Sequence, residues 1–203
     1  MPQILIAKAF ELHDWIAQRL DGLDIPRERK ILLAVSCHDI VIEHHIGIAT
    51  LLSSHINGSA FALIRPTFET FVRGVWLRRC ATEDQISQYI NEKIDLRFGQ
   101  LLEAIEKLDA FQDGMLSNLK KSVWRAMNSY THGGMQQAGR RTRGAYTRGA
   151  YIEPDFRPEE IVEVIKLAGT FALLAFQQIT FEANRIDLAN EALQKLTGVG
   201  EVE

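Results

Sequence analysis

Apolar residues recur at helical spacing along most of this chain, and no convincing strand pattern appears outside residues 144–153. The pattern predicts helices over residues 3–20, 27–56, 59–80, 82–109, 115–132 and 158–184, the last resuming to about 196. The second helix is apolar on several sides, so it should lie at the centre of the fold. We therefore expect an all-α helical bundle of about six helices, forming one domain over residues 1–203 with a tail from about 197.

Local signals support several of these boundaries. Thr82, with Gln85 three positions later, has the pattern of a capping box, in which each side chain bonds the other residue's backbone N–H. Asn57-Gly58 is typical of a turn between two helices. Pro66 lies inside the third helical pattern, so we expect either a kink there or a helix that begins near Arg65.

A segment without helical pattern, residues 133–157, precedes the last helix and is long for a bundle. Within it the pentapeptide Thr142–Tyr146 is repeated at once as Thr147–Tyr151, which predicts a flexible loop or a short hairpin. Arginine binds phosphate well, and tyrosine offers a face on which bases stack. The residues predicted to bind substrate are Arg140, Arg141, Arg143, Arg148 and Tyr146, with Tyr130 from the preceding helix. The alternative is a surface hairpin with solvated charges.

Composition limits the function classes. The chain is 46% apolar and 24% charged, which is ordinary for a globular protein and unlike a disordered one. A net charge of −3 means that any nucleic acid would have to be held by a local basic patch. The two cysteines form no metal or disulfide pattern, and we recognise neither a secretory signal nor a membrane-length apolar run. A cytoplasmic protein that does not enter a membrane is therefore expected.

The most chemically suggestive stretch is the end of the helix predicted to finish at His132. Arg125, Asn128 and His132 are spaced by three and four residues, so they share one face of that helix. Gly133 and Gly134 follow and should end the helix, because glycine readily adopts the left-handed conformation. The sequence therefore places a cation, an amide and an imidazole together beside the arginine-rich segment.

These residue types suit RNA cleavage that needs no metal. Histidine titrates near neutrality, so His132 is the predicted acid or base. Arg125 is the predicted stabiliser of the charge that develops on phosphate, and Asn128 is predicted to position the substrate. The alternative is that His132 simply caps the helix and Arg125 forms a surface ion pair.

The motif resembles a known superfamily. An arginine followed within one helix by a histidine, as in Arg125-x6-His132, resembles the signature of the HEPN superfamily (higher eukaryotes and prokaryotes nucleotide-binding). The residues from Asn128 to Gly134, the stretch from Arg65 to Glu69, and Arg140-Arg141 are similar to those of uncharacterised bacterial HEPN-like proteins. The similarity of helix pattern extends over about residues 30–185.

The resemblance implies a function and an assembly. HEPN proteins with this motif are often metal-independent endoribonucleases that act as homodimers in toxin–antitoxin or phage-defence systems. The resemblance therefore implies RNA as substrate, a second copy of the chain as partner, and an antitoxin or regulatory protein as a further partner. Other members have lost catalysis and serve as interaction or scaffold modules. Ala126 stands where the family usually has a polar residue, which favours this second function.

One acidic residue is a candidate for a supporting role. Glu69 lies four residues from both Arg65 and Arg73. In a mostly apolar helix its carboxylate needs a partner. It would either orient Arg125 from the neighbouring helix or form an ion pair within its own helix.

A histidine-rich stretch in the second helix raises the question of a metal. Bundle metal sites use Glu-x-x-His pairs with further carboxylates, and neither that pattern nor His-Glu-x-x-His occurs in this sequence. We therefore predict no metal site and no cofactor. The residues interpreted as satisfied or surface groups are His38, Asp39, Glu43, His44, His45 and His55.

Overall fold

The structure, a computed structural model, describes residues 1–142 and 154–199. These ranges hold nine α-helices, α1 to α9, and a short 3-10 helix at Asp109–Phe111. In chain order the α-helices are Pro2–Leu20, Arg29–Ser53, Asn57–Arg79, Glu83–Ile90, Phe98–Ile105, Met115–Thr131, Met135–Thr142, Pro158–Glu182 and Ile186–Val199. The predicted all-α class is confirmed, while the predicted count of about six is too low for the described residues. Residues 144–153, where the sequence pattern left a strand open, lie outside the described residues.

The centre of the fold is formed by α2, α3 and α8, which pack against one another. Phenylalanines on α3 and α8 fill the space between these helices: the ring of Phe171 lies 5.3 Å from Phe68 and 5.6 Å from Phe71. All three side chains are almost completely buried. Helix α1 covers α2 and α8, α9 covers α8, and α6 covers α3. The second predicted helix is thus central, as its apolar composition indicated.

The segment predicted as one helix over 82–109 is divided into α4 and α5. Its start is as predicted, because Thr82 and Gln85 form the capping box. Helix α4 then ends at Ile90, and Glu92, two residues later, has a left-handed φ of +55°. The amide of Lys93 donates to the Gln88 carbonyl at 2.8 Å, and this bond closes the helix end. Apolar periodicity continues across this end, which is why the sequence suggested a single helix.

The end of α6 follows the predicted glycine signal. His132 is the capping residue, Gly133 has a φ of +65°, and the Gly134 amide donates to the Ser129 carbonyl at 2.6 Å. The chain then forms α7 at once, so the predicted loop over 133–157 is helical at its start. The Ser129 hydroxyl oxygen accepts a hydrogen bond of 2.8 Å from the Gln136 amide, and this bond satisfies an N–H of the first turn of α7.

Helix α3 continues through Pro66 and includes Arg65 in its interior, so the suggested start near Arg65 is wrong. Proline has no N–H with which to bond the carbonyl four residues earlier, here that of Ala62. The Thr131 hydroxyl at the end of α6 lies 3.2 Å from this carbonyl and 2.9 Å from the Met127 carbonyl. The Ala62 carbonyl, which Pro66 leaves without a helical donor, thus contacts the end of α6.

Two helices are long and apolar enough to cross a membrane, judged by length and composition alone: Arg29–Ser53 and Pro158–Glu182. Core helices of globular proteins pass the same test. Both helices belong to the packed centre of this fold, where 44% and 56% of their apolar windows are buried. The expected location away from a membrane stays a prediction.

Candidate functional site

His132 lies at the surface, at the end of α6, and its ring contacts an arginine of another helix. The Nη1 of Arg65, on α3, is hydrogen-bonded to the Nε2 of His132. Arg125, which the sequence analysis paired with His132, makes no such contact, because it lies two helical turns earlier on the same helix. The cation beside the imidazole is therefore Arg65.

This contact specifies the form of the imidazole. Arginine has only donor groups, so Nε2 of His132 must be the acceptor of the hydrogen bond. In the tautomer that accepts this bond, the ring N–H is on Nδ1. In this state Nε2 is a potential base that is covered by a guanidinium group.

Arg65 is itself held in place on two sides. Its Nε and Nη2 both lie 2.9 Å from Oε1 of Glu69, one turn further along α3. Its guanidinium carbon lies 5.1 Å from the ring centre of Trp124, a cation–π distance. Glu69 therefore forms the ion pair within its own helix, and it contacts Arg65 rather than Arg125. Its role is still a supporting one, because it orients the arginine that meets His132.

A basic groove runs along α6 toward this site. It has a volume of about 540 Å³ and is lined by Ser117, Lys120, Lys121, Trp124, Arg125 and Asn128. Lys121, Arg125, Asn128 and His132 are spaced by four, three and four residues, so they form one stripe on the helix. Arg125 is exposed and forms no ion pair within the part of the chain that the structure describes. The lining residues thus include three cations and no carboxylate, although the Glu106 carboxylate accepts hydrogen bonds from the Ser117 amide and hydroxyl at one end of the groove.

Asn128 and Trp124 add a side-chain amide and an aromatic ring to the lining of the groove. Oδ1 of Asn128 is buried and has no hydrogen-bond partner, and an unsatisfied acceptor of this kind is unfavourable unless a ligand supplies a donor. Trp124 stacks on Phe98 with ring centres 4.8 Å apart and an interplanar angle of 5°. The predicted positioning residue Asn128 thus lines the groove, while its Oδ1 points away from solvent.

Arg140 and Tyr130 take part in the internal structure instead. The Arg140 guanidinium bonds both carboxylate oxygens of Glu160, at 2.9 and 2.5 Å, and its Nε donates to the Tyr130 hydroxyl at 2.5 Å. It also lies over the ring of Phe156. Tyr130 is buried, and burial raises the pKa of its hydroxyl. Most of the Arg140 donors and the Tyr130 hydroxyl are therefore used within the fold, and their contact with RNA stays a prediction.

The other predicted substrate-binding residues are distributed differently. Arg141 is exposed on α7, donates to the Gln137 carbonyl at 3.3 Å, and lies near Gly58 at the start of α3. It is therefore not part of the α6 groove. Arg143, Arg148 and Tyr146 lie outside the described residues.

The second helix carries a cysteine and two histidines that are buried in the core. Among residues 1–142 and 154–199, no group of three or more His, Cys, Asp or Glu side chains could hold a metal ion. Cys37 is buried, and burial raises the pKa of its thiol, which keeps it protonated and unreactive. His38 and His45 are also buried, and neither Nδ1 has a hydrogen-bond partner. The sequence interpretation as satisfied or surface histidines is thus wrong for these two.

Comparison with protein families gives one match. A family model described as a family of unknown function, DUF6988, matches residues 38–197. The chain belongs to the DUF6988 family. No curated protein and no solved structure matches the chain significantly.

The segment shared with the DUF6988 model contains the whole site. It includes Arg65, Glu69, Trp124 and His132, together with every residue that lines the basic groove. Helix α1 of this DUF6988 protein lies before the matched segment. The site therefore lies within the part of the chain that matches the family.

Arg65 belongs to the site, although residue spacing pairs His132 with Arg125. In the sequence, Arg65 is marked only by the stretch that ends at Glu69 and by its ion-pair spacing to Glu69. One signal in the sequence points to its importance in this DUF6988 protein: it stands directly before a proline inside a helix. Proline in that position frees a carbonyl for contact with another element, and here that element carries His132.

Proposed function

We propose that this DUF6988 protein binds RNA along the α6 groove and cleaves it without a metal, working as a homodimer. The observation that carries the proposal is the Arg65–His132 contact at the end of a basic groove. The resemblance of the Arg125-x6-His132 motif to HEPN ribonucleases supports the same function.

The geometry suggests how binding and chemistry are linked. A phosphate entering the site would attract Arg65, because a guanidinium binds phosphate oxygens through two charge-assisted hydrogen bonds. Moving Arg65 onto the phosphate would uncover Nε2 of His132, the atom that it covers without substrate. Nε2 would then accept the proton of the 2′-hydroxyl, and Arg65 would stabilise the charge that develops on phosphorus. The products would be a 2′,3′-cyclic phosphate and a 5′-hydroxyl.

Arg125 has a different part in this proposal from the one its spacing first suggested. It lies about 10 Å from His132 along the helix, since seven residues separate them at 1.5 Å each. Together with Lys120 and Lys121 it would hold a neighbouring phosphate in the groove. Asn128, which lines the groove, would donate its side-chain amide hydrogens to a ribose or base oxygen.

A second copy of the chain would complete the site. One chain places a single histidine in it, and the leaving 5′-oxygen also needs a proton. A two-fold dimer that joins two α6 ends would supply a second Arg65–His132 pair. By the HEPN resemblance, the physiological setting would be a cytoplasmic toxin–antitoxin or phage-defence system with an antitoxin or regulatory partner.

The test is cleavage of RNA by purified protein in excess chelator, with analysis of the ends formed. We expect cyclic-phosphate ends, a loss of about 100-fold or more in rate for His132→Ala, and a loss mainly in kcat for Arg65→Ala. Arg125→Ala should mainly raise KM. Arg27→Ala, at an exposed position before α2, is the matched control and should behave as the wild type. Cleavage that is unchanged in His132→Ala, or absent in the wild type, would refute the enzymatic proposal.

A non-catalytic interaction module is the second candidate. It is favoured by Arg140, whose donors are taken by Glu160, Tyr130 and the Asp155 carbonyl instead of facing a ligand. Ala126, where HEPN enzymes usually have a polar residue, favours it too. RNA binding without cleavage, weakened by Arg125→Ala, would support an RNA-binding module. The absence of both would favour a protein-binding one.

A further inference from the structure

A second site lies on the opposite set of helices, in a cleft between α1, α2, α8 and α9. It has a volume of about 550 Å³, within the range of pockets that hold small organic ligands. None of its lining residues comes from α6, so it is separate from the groove described above. Its walls are mainly apolar and include Leu5, Leu12, Trp15, Ile165 and Leu173.

The rim of this cleft is positively charged. Lys8 on α1, Lys166 on α8 and Lys195 on α9 line it, against the single carboxylate of Glu11 among the lining residues. The Lys195 ammonium lies 4.7 Å from the ring centre of Trp15, so its charge is held over the apolar wall. An apolar interior with a cationic rim is complementary to an amphipathic anion.

The floor of the cleft carries an unusual polar group. His45 has no exposed surface, and neither ring nitrogen has a hydrogen-bond partner. Burial lowers the pKa of His45 to about 4, so the neutral ring presents one donor and one acceptor, both unsatisfied. Leaving such groups unpaired in the interior is unfavourable, and a ligand that bonds either nitrogen would relieve this.

A glycine keeps space open above this imidazole. A Cβ on Gly169 would lie 3.9 Å from Nε2 of His45 and 3.6 Å from Cδ2 of Leu12, both ordinary contact distances. The missing side chain therefore leaves room for about one heavy atom of a ligand, bordered by the flexible side chain of Leu12. Because the imidazole has no exposed surface, a ligand would reach it by displacing Leu12.

We infer that this cleft binds an amphipathic carboxylate, an acyl or aryl chain whose anionic group pairs with the lysine rim and whose inner end lies against His45. The rim recognises the charge, the apolar walls recognise the chain, and His45 favours a hydroxyl or carbonyl oxygen at the inner end. This binding site does not depend on the proposed ribonuclease activity.

The test is titration of the full chain with dodecanoate and with 12-hydroxydodecanoate, followed by calorimetry and by the NMR signals of the His45 ring. We expect saturable binding of both, tighter for the hydroxylated chain, with a shift of the His45 signals. Dodecyltrimethylammonium, which has the opposite charge, should not compete. Lys166→Glu should weaken binding at least about tenfold, because it reverses a charge at the rim. Lys107→Glu, at an exposed position away from the cleft, should not.

A glycine variant tests the floor separately. Gly169→Ala fills the space above His45 without a close contact, so the protein should fold and the preference for the hydroxylated chain should disappear. Gly47→Ala, where a Cβ would meet only Leu63 at 3.8 Å, is the matched control and should keep that preference. No saturable binding of either carboxylate, or equal binding of the cationic chain, overturns the inference. Binding that is unaffected by both Lys166→Glu and Gly169→Ala overturns it as well.

Discussion

The Thr131 hydroxyl of α6 lies 3.2 Å from the Ala62 carbonyl of α3, a carbonyl that Pro66 leaves without its usual helical donor. The two residues that meet at the site are neighbours in sequence of this proline and this threonine. Arg65 directly precedes Pro66, and His132 directly follows Thr131. The bond therefore positions one helix end against the other helix where the guanidinium and the imidazole touch.

This relationship predicts the effect of Thr131→Val. The change removes the one hydroxyl proton that the Met127 and Ala62 carbonyls share, so the free energy of unfolding should fall by about 1 kcal/mol. Urea unfolding would measure this. Thr50→Val is the control, because the Thr50 hydroxyl bonds only the Ile46 carbonyl of its own helix at 2.8 Å. It should change stability by less than about 0.5 kcal/mol.

A double-mutant cycle sharpens the same prediction. Pro66→Ala restores an N–H that can bond the Ala62 carbonyl within α3. In that background Thr131→Val should destabilise by less than it does alone. An equal loss in both backgrounds would mean that the threonine acts through packing instead of through this hydrogen bond.

The Arg140–Glu160 ion pair should be a main stabilising contact between α7 and α8. Burial acts to raise the Glu160 pKa, but hydrogen bonds from Arg140 and Arg157 outweigh it and lower the pKa to about 2. Arg140→Ala should therefore lower the free energy of unfolding by about 3 kcal/mol, since it leaves a half-buried carboxylate without its main partner. Arg157→Ala is the control: its side chain is 71% exposed and lies 3.4 Å from the same carboxylate. It should have an effect below about 1 kcal/mol.

The pH dependence of this effect has a definite sign. A carboxyl group with a lowered pKa in the folded state stabilises the fold above its unfolded pKa of about 4.5, and this contribution is lost as the pH falls toward about 2. The stability difference between the wild type and Arg140→Ala should thus be largest near neutral pH and shrink in acid. A difference that does not depend on pH would contradict the ion-pair explanation.

Two buried histidines should make the fold sensitive to mild acid. Burial lowers the pKa of His38 to about 3, and burial together with the nearby His13 lowers that of His45 to about 4. The unfolded chain takes up protons at these positions below about pH 6.5, whereas the folded chain does not. Stability should therefore fall as the pH drops from about 6.5 to about 4, by up to about 1.4 kcal/mol per pH unit for each histidine.

Unfolding of His38→Gln and His45→Gln at several pH values tests this prediction. Between pH 6 and 5, the slope of the unfolding free energy against pH should be smaller in each variant by the contribution of about one proton, or about 1.4 kcal/mol per pH unit. Above pH 7.5 the curves of the variants and the wild type should run parallel, because a neutral ring exchanges no proton there. A wild-type slope that both variants retain would show that other groups cause the acid sensitivity.

Local signals in the sequence determined much of the secondary structure. The capping box at Thr82 and Gln85 and the glycine end after His132 are formed by residues close together in the chain, so their patterns were sufficient. The apolar face of the second helix likewise indicated its central place. The same signals did not predict the break between α4 and α5, because apolar periodicity continues past the end of α4, where Glu92 adopts a left-handed conformation.

The pattern of residues was enough to predict the helical class, most helix ends, and the shared face of Arg125, Asn128 and His132, since these depend on spacing along one helix. The contact of Arg65 with His132, 67 residues away, and that of Arg140 with Glu160 arise from the packing of separate helices. Residue spacing predicts which side chains share a face of one helix, but it does not predict which face of another helix they contact. That choice depends on how the helices pack, and at this site the packing brings the Ala62 carbonyl, left without a helical donor by Pro66, to the end of α6.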